Sequence, residues 1–136
     1  VSLTTPSDGR IKKDIEENIP GLAFIGKLRP VSYHYDMKIM NELTGMNNSK
    51  IPVAVNYEKE QIRYSGFIAQ EVYEAARALG YNFSGVSAPT HEKGLYGLAY
   101  AEMVVPLVKS VQELMVIIER QQVQINQLQH RLDGRQ

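Results

Sequence analysis

Residues 107–132 read LVKSVQELMVIIERQQVQINQLQHRL, and the spacing of the apolar residues in this stretch decides the fold. Leu107, Val111, Leu114, Ile118, Gln121, Ile125, Leu128 and Leu132 stand 4, 3, 4, 3, 4, 3 and 4 residues apart. That is a heptad seam, with Val111, Ile118, Ile125 and Leu132 at a and Leu107, Leu114, Gln121 and Leu128 at d. It predicts one long helix from about Ala101 to Leu132. From Gln121 onward the residues outside the seam are nearly all Gln, Asn, Arg and His, with Val123 the one apolar residue left over. A narrow apolar stripe on a polar helix is the pattern of a coiled coil between chains. The first part, Met103 to Ile118, has a wider apolar face through Val104, Val105, Met115, Val116 and Ile117. That width also suits packing over the chain's own sheet. β-branched residues at a with Leu at d favour two strands, and Gln121 at d is a polar defect that sets register at a cost in stability. The seam therefore reads as an oligomer and leaves the number of strands open.

Upstream of the helix the chain reads as a small α+β domain. Residues 1–6 form an extended lead-in, since Pro6 disfavours helix at Thr5. Ser7 or Asp8 caps a short helix starting near Arg10, broken at Asn18-Ile19-Pro20-Gly21. Leu22 to Leu28 is a second short apolar helix. Val31-Ser32-Tyr33-His34-Tyr35 alternates and is rich in strand formers. Residues 36–50, with Gly45 and Asn47-Asn48, read as a loop or the tip of a protruding hairpin. Residues 51–57 and 61–68 read as the two strands of a hairpin turning at Glu58-Lys59-Glu60, with Pro52 putting the first strand at an edge. Ala69 to Leu79 is a helix with Val72, Ala75, Ala76 and Leu79 on one face, stopped by Gly80. Residues 81–94 are mostly loop, and Leu95 to Tyr100 is a short strand.

The bulk numbers bound the function. A chain of 136 residues is one domain's worth, and 43% hydrophobic with 22% charged residues is ordinary for a folded protein. Fifteen basic residues balance fifteen acidic ones, which argues against a nucleic-acid or anionic-membrane partner. The chain contains no cysteine, and its three histidines, His34, His91 and His130, show no ligand spacing. No apolar run approaches the ~20 residues of a membrane span. There is no Gly-rich phosphate loop and no His-based triad, so no metal or cofactor is expected. A start at Val1 is expected of a piece cut from a longer polypeptide.

One stretch carries chemistry. Ser7-Asp8-Gly9-Arg10-Ile11-Lys12 sets a hydroxyl and an amine five residues apart across a turn. A Ser/Lys pair is among the few dyads that need no His, Cys or metal. An ordinary lysine, with pKa ~10.4, is charged near pH 7 and cannot act as a base. An apolar pocket, or the neighbouring cations Arg10 and Lys13, pushes in the required direction. The same residues also make a good turn and helix cap, so spacing alone does not choose between the two.

The wider pattern resembles a known family. S74 chaperone domains begin with Ser-Asp-x-Arg-x-Lys, often followed by x-Asp-Ile, and this chain has Ser7, Asp8, Arg10, Lys12, Asp14 and Ile15 in those places. A Leu-x-Pro-Val-x-Tyr-like strand follows as Leu28 to Tyr35. A Gly-aromatic-Ile-Ala-Gln-Glu-Val segment follows as Gly66 to Val72, and Tyr100 stands before the long C-terminal helix. In these four elements the chain is similar to the intramolecular chaperone domains of the S74 self-cleaving peptidases, which end bacteriophage tail fibres, tailspikes and neck appendages.

The resemblance implies a homotrimer with a C-terminal helical bundle, and a client that is the upstream fibre segment of the same polypeptide. It divides the chain into a client remnant at 1–6, a chaperone core at 7–100 with a protruding arm at 36–64, and an oligomerisation helix at 101–136. It implies Ser7 as nucleophile and Lys12 as base, cutting before Ser7. Asp8 and Arg10 are read as shaping the turn, and Gln70 and Glu71 as structural, with Glu71 favoured at a helix start. It places assembly of the precursor in the cytoplasm of a bacterial host, with the released chaperone absent from the mature particle. The rival readings are a trimerisation cap that does not cut and a receptor-binding fibre tip exposing Tyr57, Tyr64, Tyr73, Tyr81 and Tyr96. A soluble enzyme acting on external substrates is a weaker third.

Overall fold

The computed structural model describes residues 4–45 and 53–135. Its element order is α1 (Leu22–Ile25), β1 (Val31–Tyr33), α2 (Met37–Thr44), α3 (Val53–Gln61), β2 (Tyr64–Gly66), α4 (Ala69–Ala78), β3 (Val86–Ser87), β4 (Gly97–Leu98) and α5 (Val104–Asp133). Strands β1 and β2 pair antiparallel, with Val31 opposite Gly66, Ser32 opposite Ser65 and Tyr33 opposite Tyr64. Strands β3 and β4 pair antiparallel with Val86 opposite Leu98. The class is α+β, as expected, built on two small sheets and one long helix.

The core is small and aromatic. Phe24, Val72, Ala75, Ala76, Phe83 and Met103 are buried in one cluster. Three of the four apolar positions expected on α4 point into it, while Leu79 stays exposed beside Gly80 at φ +62°. Phe24 is fully buried, with the rings of Tyr81 and Phe83 each 5.2 Å away, centroid to centroid. Removing that ring leaves a void that three separate segments cannot collapse into. Phe24→Ala is expected to cost about 3–5 kcal/mol, read as a lowered denaturant midpoint with unchanged slope.

The largest departure from the expected pattern lies between β1 and β2. Residues 37–44 form a helix where a loop or hairpin tip was expected. Asp36 caps it by accepting the Ile39 N–H at 2.9 Å, and Gly45 ends it at φ +70°. The expected strand over 51–57 gives way to α3 over Val53–Gln61, with Ile51 and Pro52 outside the described residues. The hairpin fails because Glu58-Lys59-Glu60 holds no residue suited to the positive φ of a tight turn, while Glu, Lys and Gln are good helix formers. β2 finds its partner in β1 instead, more than thirty residues back. Glu60 Oε1 accepts the Met37 N–H at 3.1 Å and joins the two helices. The excursion at 36–64 is therefore a helical pair on a two-stranded base, not a β-hairpin.

Several boundaries are shorter than expected. The helix near Arg10 is a single 3₁₀ turn over Gly9–Ile11, α1 stops at Ile25, and the strand over 95–100 shrinks to Gly97–Leu98. The Tyr100 hydroxyl accepts the Phe67 N–H at 3.0 Å and so ties the entrance of α5 to the start of α4.

Helix α5 does not hide its seam. Met103, Pro106 and Ser110 are buried and Glu113 is half-buried. This stripe, at spacings of 3, 4 and 3, faces α1 and the core. The seam lies on a different face. Its apolar residues range from 43% exposed at Leu114 to 61% at Leu132. The early part of the helix was expected to pack over the chain's own sheet; its chief neighbour is α1 instead.

Candidate functional site

The turn at Ser7 to Lys12 is built by Asp8. Its Oδ1 accepts the Arg10 N–H at 2.9 Å and caps the 3₁₀ turn. The same carboxylate clamps the Arg10 side chain, with Nη2 to Oδ2 at 2.7 Å and Nε to Oδ1 at 3.1 Å. The guanidinium holds the Asp8 carboxyl below its ordinary value, and the carboxylate raises Arg10 in return. Backbone bonds from Ile11 N–H to Asp8 O and from Lys12 N–H to Gly9 O, both 3.2 Å, close the turn. Lys12 thereby folds back, and its Nζ donates to Ser7 Oγ at 2.7 Å.

Ser7 and Lys12 thus meet. Asp8 and Arg10 shape the turn, as expected. Arg10 spends its charge on Asp8 and cannot act as the isolated cation proposed to repel a proton from Lys12. The apolar pocket is not supplied within one chain either. Every residue from Thr4 to Asn18 is exposed, including Ile11 at 65% and Ile15 at 75%. Two such isoleucines are apolar side chains left in solvent within the single chain.

Gln70 and Glu71 part company. Glu71 pairs with Arg29 and locks the start of α4 to the segment before β1, which fits its structural reading. Gln70 lines an open groove with Tyr33, Tyr35, Phe67, Tyr96 and Tyr100. In that groove the Tyr33 hydroxyl lies 3.3 Å from that of Tyr35, and this hydrogen bond, aided by burial, pushes the Tyr33 phenol up to about 12. The alternation over residues 31–35 sets Tyr33 and Tyr35 on one side of the chain, and the structure brings Tyr64 to them although β1 itself ends at Tyr33. Of the tyrosines proposed for a receptor-binding surface, Tyr64, Tyr73 and Tyr96 gather around this groove, while Tyr81 and Tyr57 stand elsewhere. Tyr81 packs on Phe24 and Phe83, Tyr64 joins Tyr33 and Tyr35, Tyr73 pairs with Tyr96, and Tyr57 stands exposed on α3.

Among the described residues no helix is long and apolar enough to cross a membrane, and no three His, Asp or Glu side chains gather to hold a metal ion. No curated protein and no solved structure matches the chain. The family model Peptidase_S74, chaperone of endosialidase, matches residues 7–81. The match begins at Ser7, spans more than half of the chain, and takes in the Ser7 to Lys12 turn, both strands of the first sheet and helix α4. This chain belongs to the Peptidase_S74 family, the chaperone of endosialidase, and its role is that of a chaperone in fibre assembly.

Proposed function

We propose that the chain trimerises the fibre segment upstream of it and then releases itself by one cut before Ser7. The observation that carries this reading is the 2.7 Å contact of Lys12 Nζ with Ser7 Oγ at the first residue of the family match. Ser7 Oγ attacks the Pro6 carbonyl carbon while its proton passes to Lys12 Nζ. The Pro6–Ser7 C–N bond then breaks, and the Ser7 nitrogen leaves as an amine carrying the proton that Lys12 returns. The new ester joins Pro6 to Ser7 Oγ, and water hydrolyses it, freeing the client's carboxylate and restoring the serine.

For Lys12 to accept a proton rather than donate one, water must be taken from the turn. The neighbouring subunits do this in the assembled state, where they cover Ile11, Ile15 and the seam of α5. Cleavage then follows assembly and reports it. The helical pair at 36–64 is the arm that holds the client. The reaction takes place on the precursor in the cytoplasm of the bacterial host, and the freed chaperone is left behind.

The oligomer is tested by sedimentation equilibrium of the Ser7→Ala chain, which is expected to give three times the 15.4 kDa chain mass. A single species of twice that mass would contradict the trimer. The exposure of the whole segment from Thr4 to Asn18 favours one second reading, a trimerisation cap that never cuts. It applies if assembly leaves that segment in water.

A further inference from the structure

We propose that Glu113 is a positioning residue that ties the cleavage turn to the assembly helix, an inference that rests on the autoproteolytic reading above. The segment bearing Ser7 and Lys12 runs exposed until Ile19 and Pro20, which are half-buried, and Gly21, which is buried. At that point Glu113 of α5 reaches across, and its Oε1 accepts the Leu22 N–H at 3.3 Å. At 3.3 Å the bond is long, and it is charge-assisted because the acceptor is a carboxylate in a half-buried setting.

Gly21 makes the approach possible. A β-carbon there would overlap the Glu113 carboxylate and stand 2.9 Å from the Ser110 backbone nitrogen. The backbone of Gly21 therefore lies against α5 where no other residue fits. Ser110 is itself buried and bonded to Pro106 O at 2.8 Å, so the helix surface under Gly21 is firm. Before this anchor the contact loosens. Glu16, Glu17 and Ile19 face Val105, Val108, Lys109 and Gln112 across an open gap of about 390 Å³.

Glu113 is next in sequence to Leu114, a seam residue. In a single chain the rotation of α5 rests on the stripe of Met103, Pro106, Ser110 and Glu113 alone. Once the seam residues Leu107, Val111, Leu114 and Ile118 are locked against neighbouring copies, the rotation of α5 is set. Glu113 then fixes Gly21 and Leu22, and through Pro20 and Ile19 the course of the cleavage segment. Assembly is thereby converted into the placement of one turn.

The test uses the full chain with its upstream segment, comparing Glu113→Ala, Glu113→Gln and Gly21→Ala with the parent. Two readouts are taken on the assembled species: the cut before Ser7, and trypsin cleavage at Lys12-Lys13. Glu113→Ala and Gly21→Ala are expected to assemble to the parent mass, to self-cleave about tenfold more slowly, and to be cut by trypsin about tenfold faster. Glu113→Gln keeps an oxygen acceptor and is expected to stay near the parent in both. Parent-like rates in Glu113→Ala and Gly21→Ala, or a Gln variant as impaired as the Ala variant, would overturn the proposal. If the parent itself does not self-cleave, the autoproteolytic reading fails, while the trypsin rates still decide whether Glu113 holds the segment.

Discussion

A chain carrying Leu114→Glu and Ile118→Glu is expected to sediment as a monomer and to leave the Pro6–Ser7 bond uncut. Leu114 and Ile118 are 43% and 60% exposed in the single chain, so neither substitution removes a core contact. In the proposed bundle both would sit at the axis. Each apolar side chain fully buried there contributes roughly 1.5–3 kcal/mol. A carboxylate in its place must shed water at several kcal/mol and faces the same charge on each neighbour. Two such changes per chain, repeated in every subunit, outweigh what the rest of the seam supplies. Gln127→Glu, on the outer face of the same helix, serves as the control and is expected to assemble. The result against the account is a double variant that is monomeric, with native helix content, and still cuts at the parent rate. Assembly would then have nothing to do with activating Lys12.

The second large effect is at the dyad. Ser7→Ala removes the only atom proposed to form the ester, so cleavage is expected to fall below detection. Lys12→Ala removes the base, and the rate is expected to drop roughly 10²–10⁴-fold. Lys12→Arg preserves charge and length but not function, because a guanidinium does not give up its proton in a protein. All three are expected to assemble like the parent, since Ser7 and Lys12 are exposed and bury nothing. Recovery of normal cutting in Lys12→Arg would remove Lys12 from the role of base. It would leave the 2.7 Å contact with Ser7 as a feature of the turn alone.

The parts of the fold legible in the sequence are those set by local pattern. The heptad from Leu107 to Leu132, the apolar stripe of Val72, Ala75 and Ala76 with its stop at Gly80, and the Asp8 cap each announce themselves within a few residues. What was not legible depends on partners far along the chain. Residues 51–57 are rich in strand formers, yet α3 stands there, because Glu58-Lys59-Glu60 cannot turn a hairpin and β1 offers β2 a better edge. Helix α2 was hidden by the polar run that follows it, although Asp36 is a capping residue and Met37, Met40 and Leu43 recur at helical spacing. The inward face of α5 was misread for a related reason. The conspicuous apolar residues stay exposed, whereas the face turned to α1 carries Pro106, Ser110 and Glu113, which no hydrophobicity pattern selects.

The site divides in the same way. Ser7 and Lys12 were readable because the turn that joins them is made of adjacent residues. The fate of Arg10 was not, since only geometry shows its guanidinium committed to Asp8. The tether from Glu113 to Leu22 spans ninety-one residues, and nothing in the sequence near either end points to the other.

The most direct test is the intact mass of this domain joined to its natural upstream fibre segment, measured after assembly beside Ser7→Ala and Lys12→Ala. Two fragments are expected in the parent, the second beginning at Ser7, and one full-length species in both variants. A parent that assembles to a trimer and keeps its full-length mass, as both variants do, would contradict self-release and leave a permanent trimerisation cap.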